Sequence, residues 1–227
     1  MSFVWRPLDN IRSRRRDVDM SMRLILAAAV VVAVLGYAAF IHTPPGPHSL
    51  RAFDADRTAA LELDMWQAYY TKANVRLFRD LVIMLREQYR YTWARALVAG
   101  FRLARAAARF GNMRSDYEQV LPDLTAAYAM ARGWTGARFD AAAVARAELA
   151  WWVARREPGH DSAEQVGQLI AEEYALLYEA PVAQVAEAGL LRARAAKLRD
   201  DGGEQADWVK VAEILRDSYR ALAARLR

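Results

Sequence analysis

Beyond residue 54, apolar positions recur three and four residues apart along most of the chain. In residues 55–89, Leu61, Met65, Ala68, Val75, Leu81, Met84 and Leu85, with Lys72 in the same register, broadly hold this spacing. That pattern predicts one long helix, with Asp54 as its N-cap. A second helix is predicted over residues 92–110, stopped by Gly111-Asn112. Ser115-x-x-Glu118 reads as a capping box that opens a third helix ending at Gly133. Pro122 lies inside that pattern and must kink the helix or shift its start. Asp140 can cap a fourth helix reaching Arg156, closed by Pro158-Gly159. Ser162-x-x-Gln165 opens a fifth, ending near Tyr178. Pro181 suits the first turn of a sixth that stops before Gly202-Gly203, and Asp207 can cap a last helix running to Leu226. Alternating runs and Asn-Gly hairpin turns are absent. The expected fold is all-α: about seven helices with short connections, arranged as a bundle or as a stack of helical hairpins.

One internal echo bears on that choice. Val166, Leu169, Ile170, Tyr174 and Leu177 match Val211, Ile214, Leu215, Tyr219 and Leu222 at an offset of 45 residues. A period of that size suits stacked helical repeats, whereas ordinary amphipathic core faces share the same spacing.

The pattern changes upstream. Residues 24–41 form an uncharged run, LILAAAVVVAVLGYAAFI. As a helix it reaches roughly 27 Å, close to the thickness of the hydrocarbon core of a bilayer. Six arginines precede it (Arg6, Arg12, Arg14, Arg15, Arg16 and Arg23), and nearby beyond it lie only Arg51 and Arg57, matched by Asp54 and Asp56. This asymmetry predicts a single-pass anchor in the inner membrane with its N-terminus in the cytoplasm. The rival is a cleaved signal peptide, with Gly36-Tyr37-Ala38 as the small-x-small site. Val4, Leu8 and Ile11, beside Trp5 and Arg12, have the spacing of a short interfacial helix; the other reading is a disordered basic stub. His42-Thr43-Pro44-Pro45-Gly46-Pro47-His48 is a stiff spacer. The expected organisation is a cytoplasmic stub at 1–23, a transmembrane helix at 24–41, a proline-rich linker at 42–53 and an extracytoplasmic helical domain at 54–227.

Composition narrows the chemistry. The chain has no cysteine, which excludes disulfides, thiolate metal sites and a cysteine nucleophile. Its three histidines, His42, His48 and His160, fall in the spacer and in the Pro158-Gly159 loop, and no Glu-x-x-His or His-Glu-x-x-His occurs. Phosphate-cradling glycine loops, Gly-x-Ser-x-Gly and Ser-x-x-Lys are also missing. No residue is therefore assigned as catalytic, cofactor-binding or metal-binding. Glu62 and Glu148 are the acids a lone-carboxylate enzyme would use, but no motif raises them above solvated helix residues.

Two features suggest contact with something else. Residues 86–114 hold seven arginines and one acid, Glu87. Within them Arg95, Arg102, Arg105 and Arg109 form a stripe on the second helix. Glu148, Trp151, Trp152 and Arg155 lie within two turns of one another, allowing a cation–π contact and a buried ion pair. Trp66, Tyr69 and Tyr70 are available to line the same region. The candidate interaction surface is therefore Trp151, Trp152, Arg155, Arg95, Arg102, Arg105 and Arg109, with core packing and solvation as the plainer reading. The expected function is a membrane-anchored, non-enzymatic scaffold. It touches lipid through its anchor and an envelope protein through this surface, with no nucleic-acid partner. Two rivals carry their own signatures. An envelope enzyme with a lone acidic catalyst needs a deep cleft holding a buried carboxylate. A lipid or small-ligand binder needs an enclosed apolar cavity between helices.

Overall fold

The structure, a computed structural model, describes the backbone of residues 9–227 and the side chains of residues 22, 23 and 25–227. Among the described residues it contains nine α-helices, two 3-10 turns and no strand. Helix α1 spans Asp9–Ile41, α2 Ala55–Tyr70, α3 Asn74–Glu87, α4 Trp93–Asn112, α5 Leu121–Thr135, α6 Ala141–Ala154, α7 Ala163–Tyr178, α8 Val182–Gly202 and α9 Trp208–Leu226. The chain divides into two compact units between His42 and Thr43.

The first unit contains α1. Its backbone is helical from Asp9. Val4, Trp5 and Leu8 of the proposed interfacial helix have no described side chains. From residue 25 on, the apolar side chains are exposed around the whole circumference, as at Ile25, Leu26, Val32, Leu35 and Tyr37. No helix among the described residues is long and apolar enough to cross a membrane. Leu24, the first residue of the uncharged run, has no described side chain.

In the second unit the N-caps expected at Asp54, Asp140, Ser162 and Asp207 all form, each side chain accepting a backbone N–H two or three residues on. Two expectations fail for identifiable reasons. The long helix over residues 55–89 is broken between α2 and α3. Lys72 takes a left-handed φ of 55°, and the amide of Ala73 donates to the Ala68 carbonyl at 2.8 Å. This closes the helix without a glycine. The break lets α3 fold back so that Leu77 and Met84 pack on Leu61, Met65 and Ala68. The burial gained outweighs the helical propensity of the linking residues. The capping box at Ser115 also does not form: the Ser115 hydroxyl contacts Asp116 instead, and residues Tyr117–Val120 make a 3-10 turn. Helix α5 starts at Leu121 with Pro122 in its first turn, where a missing N–H costs nothing. It ends at Gly136, with φ 72°, rather than at Gly133.

From α2 to α9 each helix packs against the next, and α9 packs back against α2. Eight helices thus close into a ring, an all-helical bundle with one helix more than the seven expected. The echoing faces of α7 and α9 flank α8, and Val166, Ile170, Tyr174, Val211, Leu215 and Tyr219 bury in one cluster. Helices α7 and α8 come unusually close. A Cβ on Gly189 would lie 2.6 Å from the Gly167 carbonyl oxygen, so only glycine fits there. The end of the linker is built into the same unit: Leu50 is buried, Phe53 packs on Tyr178 and Tyr219, and Arg51 donates to the Tyr178 carbonyl.

Candidate functional site

The ring brings charged residues into its interior from several helices. Glu62 lies on α2 between Leu61 and Met65, on the face that packs inward, and is 2 % exposed. Glu173 follows Ile170 by one turn on α7 and is 4 % exposed. A buried carboxylate needs donors, and these have them. Glu62 Oε1 accepts from Trp66 Nε1 at 3.1 Å and from Arg192 Nε at 2.9 Å. Glu173 accepts from Trp151 Nε1 at 2.6 Å and stands 4.0 Å from the Arg192 guanidinium. The Tyr128 hydroxyl lies 2.9 Å from Glu148 and 3.1 Å from Glu173, bridging the two. Arg192 also covers the ring of Trp151 at 4.8 Å. Three carboxyl groups therefore converge around a single guanidinium.

Such a cluster cannot hold three negative charges away from water. Burial, with the Glu173 charge added, pushes the Glu148 carboxyl up to about 8. Glu148 is half-buried and lines a pocket. Burial also raises Glu173, but Arg192, Trp151 and Tyr128 all favour its charged form. Burial opposes the Arg192 charge, yet Glu62 and the neighbouring Tyr174 and Tyr219 hydroxyls outweigh it and hold the guanidinium firmly protonated. Glu62 Oε2 and the Tyr174 hydroxyl are buried without a well-placed hydrogen-bond partner. The Tyr219 hydroxyl beside Glu62 is held well above its ordinary value by burial and by that carboxylate.

An open pocket of about 460 Å³ lies against this cluster. Glu62, Glu148 and Arg192 reach it from below, and Trp66, Tyr69, Tyr70, Phe110, Trp151 and Trp152 form its walls. At the rim, Arg155 makes a two-pronged contact with Asp200 at 2.7 and 3.0 Å and donates to the Tyr70 hydroxyl at 2.6 Å. Arg156 sits 3.7 Å over the Phe110 ring and donates to the Phe110 carbonyl and the Tyr69 hydroxyl. It has no carboxylate partner among the described residues. Among those residues no three histidines or carboxylates are arranged to hold a metal ion.

The residues expected to form one interaction surface fall in two places. Trp151, Trp152 and Arg155 line the pocket, together with Trp66, Tyr69 and Tyr70. Trp151 is 4 % exposed and lies 5.9 Å under Arg155, the anticipated cation–π contact. The partner of Glu148, however, is Tyr128 and not an arginine. The arginine stripe lies on α4, away from the pocket lining. There Arg95 stacks on Trp134 at 4.6 Å, Arg102 and Arg105 face Asp123, and Arg109 donates to Gln119. Sequence reasoning missed Arg192, Glu173, Tyr128 and Asp200. The one available signal was a carboxylate set among core positions, as Glu173 is between Ile170 and Tyr174.

The arrangement defines a closed all-helical ring with an aromatic-walled pocket over a buried carboxyl–arginine cluster. Compared with known protein families, characterised proteins and solved structures, the chain matches none of them.

Proposed function

We propose that this chain is a membrane-anchored helical domain that binds a small, ring-bearing acid in the α2/α4/α6/α8 pocket. The observation that carries this reading is the convergence of buried charge and aromatic walls on one open cavity. The sign of the ligand follows from the lining. The lining holds four basic residues, Lys72, Arg155, Arg156 and Arg192, and three acidic ones, Glu62, Glu148 and Asp200, of which burial pushes Glu148 up to about 8. Basic groups outnumber the carboxyl groups in the lining, which favours an anionic ligand. The six aromatic rings of the wall suit a flat ring on the ligand.

Naphthalene-2-sulfonate is a suitable probe for the full chain in nanodiscs. It should bind at least ~10-fold more tightly than 2-naphthylmethylammonium. Arg156→Gln should weaken it by a similar factor while leaving the helical circular-dichroism spectrum unchanged. A preference for the cation, or binding that ignores Arg156, sinks the reading. The scaffold expectation is weaker here, because Trp151, Trp152 and Arg155 face a pocket and not an outward surface. A second reading, an envelope enzyme with a lone acidic catalyst, has one specific support. A carboxyl protonated at neutral pH on a pocket wall is what general-acid chemistry uses.

The anchor in this proposal is the run of residues 24–41, with the domain outside the cytoplasm. Its supports are the length of the uncharged run, the arginines that precede it and the exposed apolar circumference of α1. A reporter active only outside the cytoplasm, fused after Arg227, should be active. An inactive fusion alongside an active cytoplasmic reporter would overturn the orientation.

A further inference from the structure

One face of α4 is not used by the fold. Trp93, Leu97, Phe101, Arg105 and Arg109 follow one another at intervals of four and form a single ridge along the helix. Trp93, Leu97, Val98 and Phe101 are 42, 36, 49 and 54 % exposed, the densest set of large exposed apolar side chains in the second unit. Beneath them Ala96, Ala99, Gly100, Ala104 and Ala106 bury against the rest of the ring, so the exposed side is a true outer face. Basic groups border it. Arg86 lies 4.6 Å over the Trp93 ring and Arg105 5.3 Å over Phe101. Arg102 and Arg105 share a single carboxylate, Asp123, and Arg109 meets only the Gln119 amide oxygen. The face therefore keeps net positive charge beside its apolar ridge.

Where the chain enters this unit says what lies nearby. The Gly46 backbone packs on the Arg90 side chain, since a Cβ there would lie 2.7 Å from Arg90 Nε. The His48 ring stacks on Trp134 at 4.1 Å, and Trp134 in turn lies under Arg95 of α4. The spacer is thus seated beside the first turn of α4. Gly46 is five residues beyond Ile41, a reach of at most about 17 Å. If Ile41 ends the membrane anchor, the start of the ridge is tethered close to the bilayer surface.

We infer that this α4 face docks on the anionic phospholipid surface of the membrane that holds the anchor. Trp93, Leu97, Val98 and Phe101 enter the headgroup–acyl boundary, and Arg105 and Arg109 meet lipid phosphates. The chemistry is that of an interfacial helix, with apolar area for insertion and guanidinium groups for the headgroups. Docking would hold the ring, and hence its pocket, in a defined orientation to the membrane. The inference rests on the anchor reading but not on the identity of the pocket ligand.

The chain has no cysteine, so single labels can be placed cleanly. Val98→Cys, Val31→Cys and Val209→Cys variants of the full chain, each carrying a bimane fluorophore, are reconstituted into phosphatidylcholine vesicles. The vesicles hold a nitroxide-headgroup lipid, with or without phosphatidylglycerol. Val209 is 73 % exposed on α9 and serves as the reference. The expected result is quenching at Val98 at least about twofold above Val209 when phosphatidylglycerol is present, falling to the reference level in high salt or with Arg105→Gln/Arg109→Gln. Quenching at Val31 but not at Val98 overturns the docking face and leaves the anchor standing. Loss of quenching at Val31 as well removes the anchor reading and this inference together. Equal quenching at Val98 without phosphatidylglycerol overturns the anionic-lipid assignment. Photocrosslinking from residue 98 to a protein instead of lipid, in native membranes, identifies a protein interface and overturns the inference too.

Discussion

Arg192→Met is expected to destabilise the ring domain by about 3–5 kcal/mol, the usual cost of stripping the partner from a buried ion pair. Arg192 is the only cation within reach of both Glu62 and Glu173 among the described residues; both carboxylates are buried, and the Arg192 side chain is 13 % exposed. Methionine fills similar space but leaves two carboxylates facing each other in the interior. They must then bind protons or draw water inward. Urea unfolding of the full chain in detergent, followed by circular dichroism, measures the loss. Adding Glu62→Gln to Arg192→Met should recover at least about 1 kcal/mol, because the stranded charge is gone. A loss under about 1 kcal/mol for the single variant, or no recovery in the double, would show that the cluster is not held by this pair. The same arginine reaches the pocket, so a destabilised cluster should also weaken the naphthalene-2-sulfonate probe.

Glu148→Gln should do the reverse at alkaline pH. The folded pKa of Glu148 lies near 8 against an ordinary 4.5, so the native state binds a proton more tightly than the unfolded chain. Its contribution to stability is complete below about pH 4.5 and is lost progressively as pH rises toward 8. Glutamine mimics the protonated acid at every pH. The wild-type chain should therefore lose on the order of a few kcal/mol across that window, about 5–10 °C in Tm, and the variant should lose much less. Above pH 8 the variant should be the more stable of the two. Thermal scans at several pH values test this, and parallel slopes for the two proteins would refute it. Binding follows the same proton: above pH 8 an ionised Glu148 repels an anionic ligand, so probe affinity should fall in the wild type and hold in Glu148→Gln.

Local sequence signals and tertiary packing contributed differently to these results. Asp54, Asp140, Ser162 and Asp207 were recognisable as helix starts because an N-cap is a contact within one turn. The aromatic set Trp66, Tyr69, Tyr70, Trp151 and Trp152 was legible as a group of residue types, but its shared location was not. Arg155 was placed correctly over Trp151, again a contact within one turn. The arginines of α4 were legible as a stripe. Their partners Asp123, Gln119 and Trp134 lie on other elements, and that separation divides the expected surface into a pocket wall and an outer face.

By itself the sequence determined the all-helical class, four of the N-caps, the uncharged run at residues 24–41 and the absence of thiol chemistry. Each of these depends on residues adjacent in the chain or one turn apart, where covalent geometry sets the spacing. Only the tertiary structure decided the break at Lys72, the closure of α9 onto α2, the near contact at Gly167 and Gly189, and the meeting of Glu62, Glu148, Glu173 and Arg192. Glu62 and Arg192 are 130 residues apart and carry no local mark of each other. Their pairing arises because apolar burial closes the ring. Once that happens, the carboxylates trapped inside must find a guanidinium, an indole, a hydroxyl or a proton.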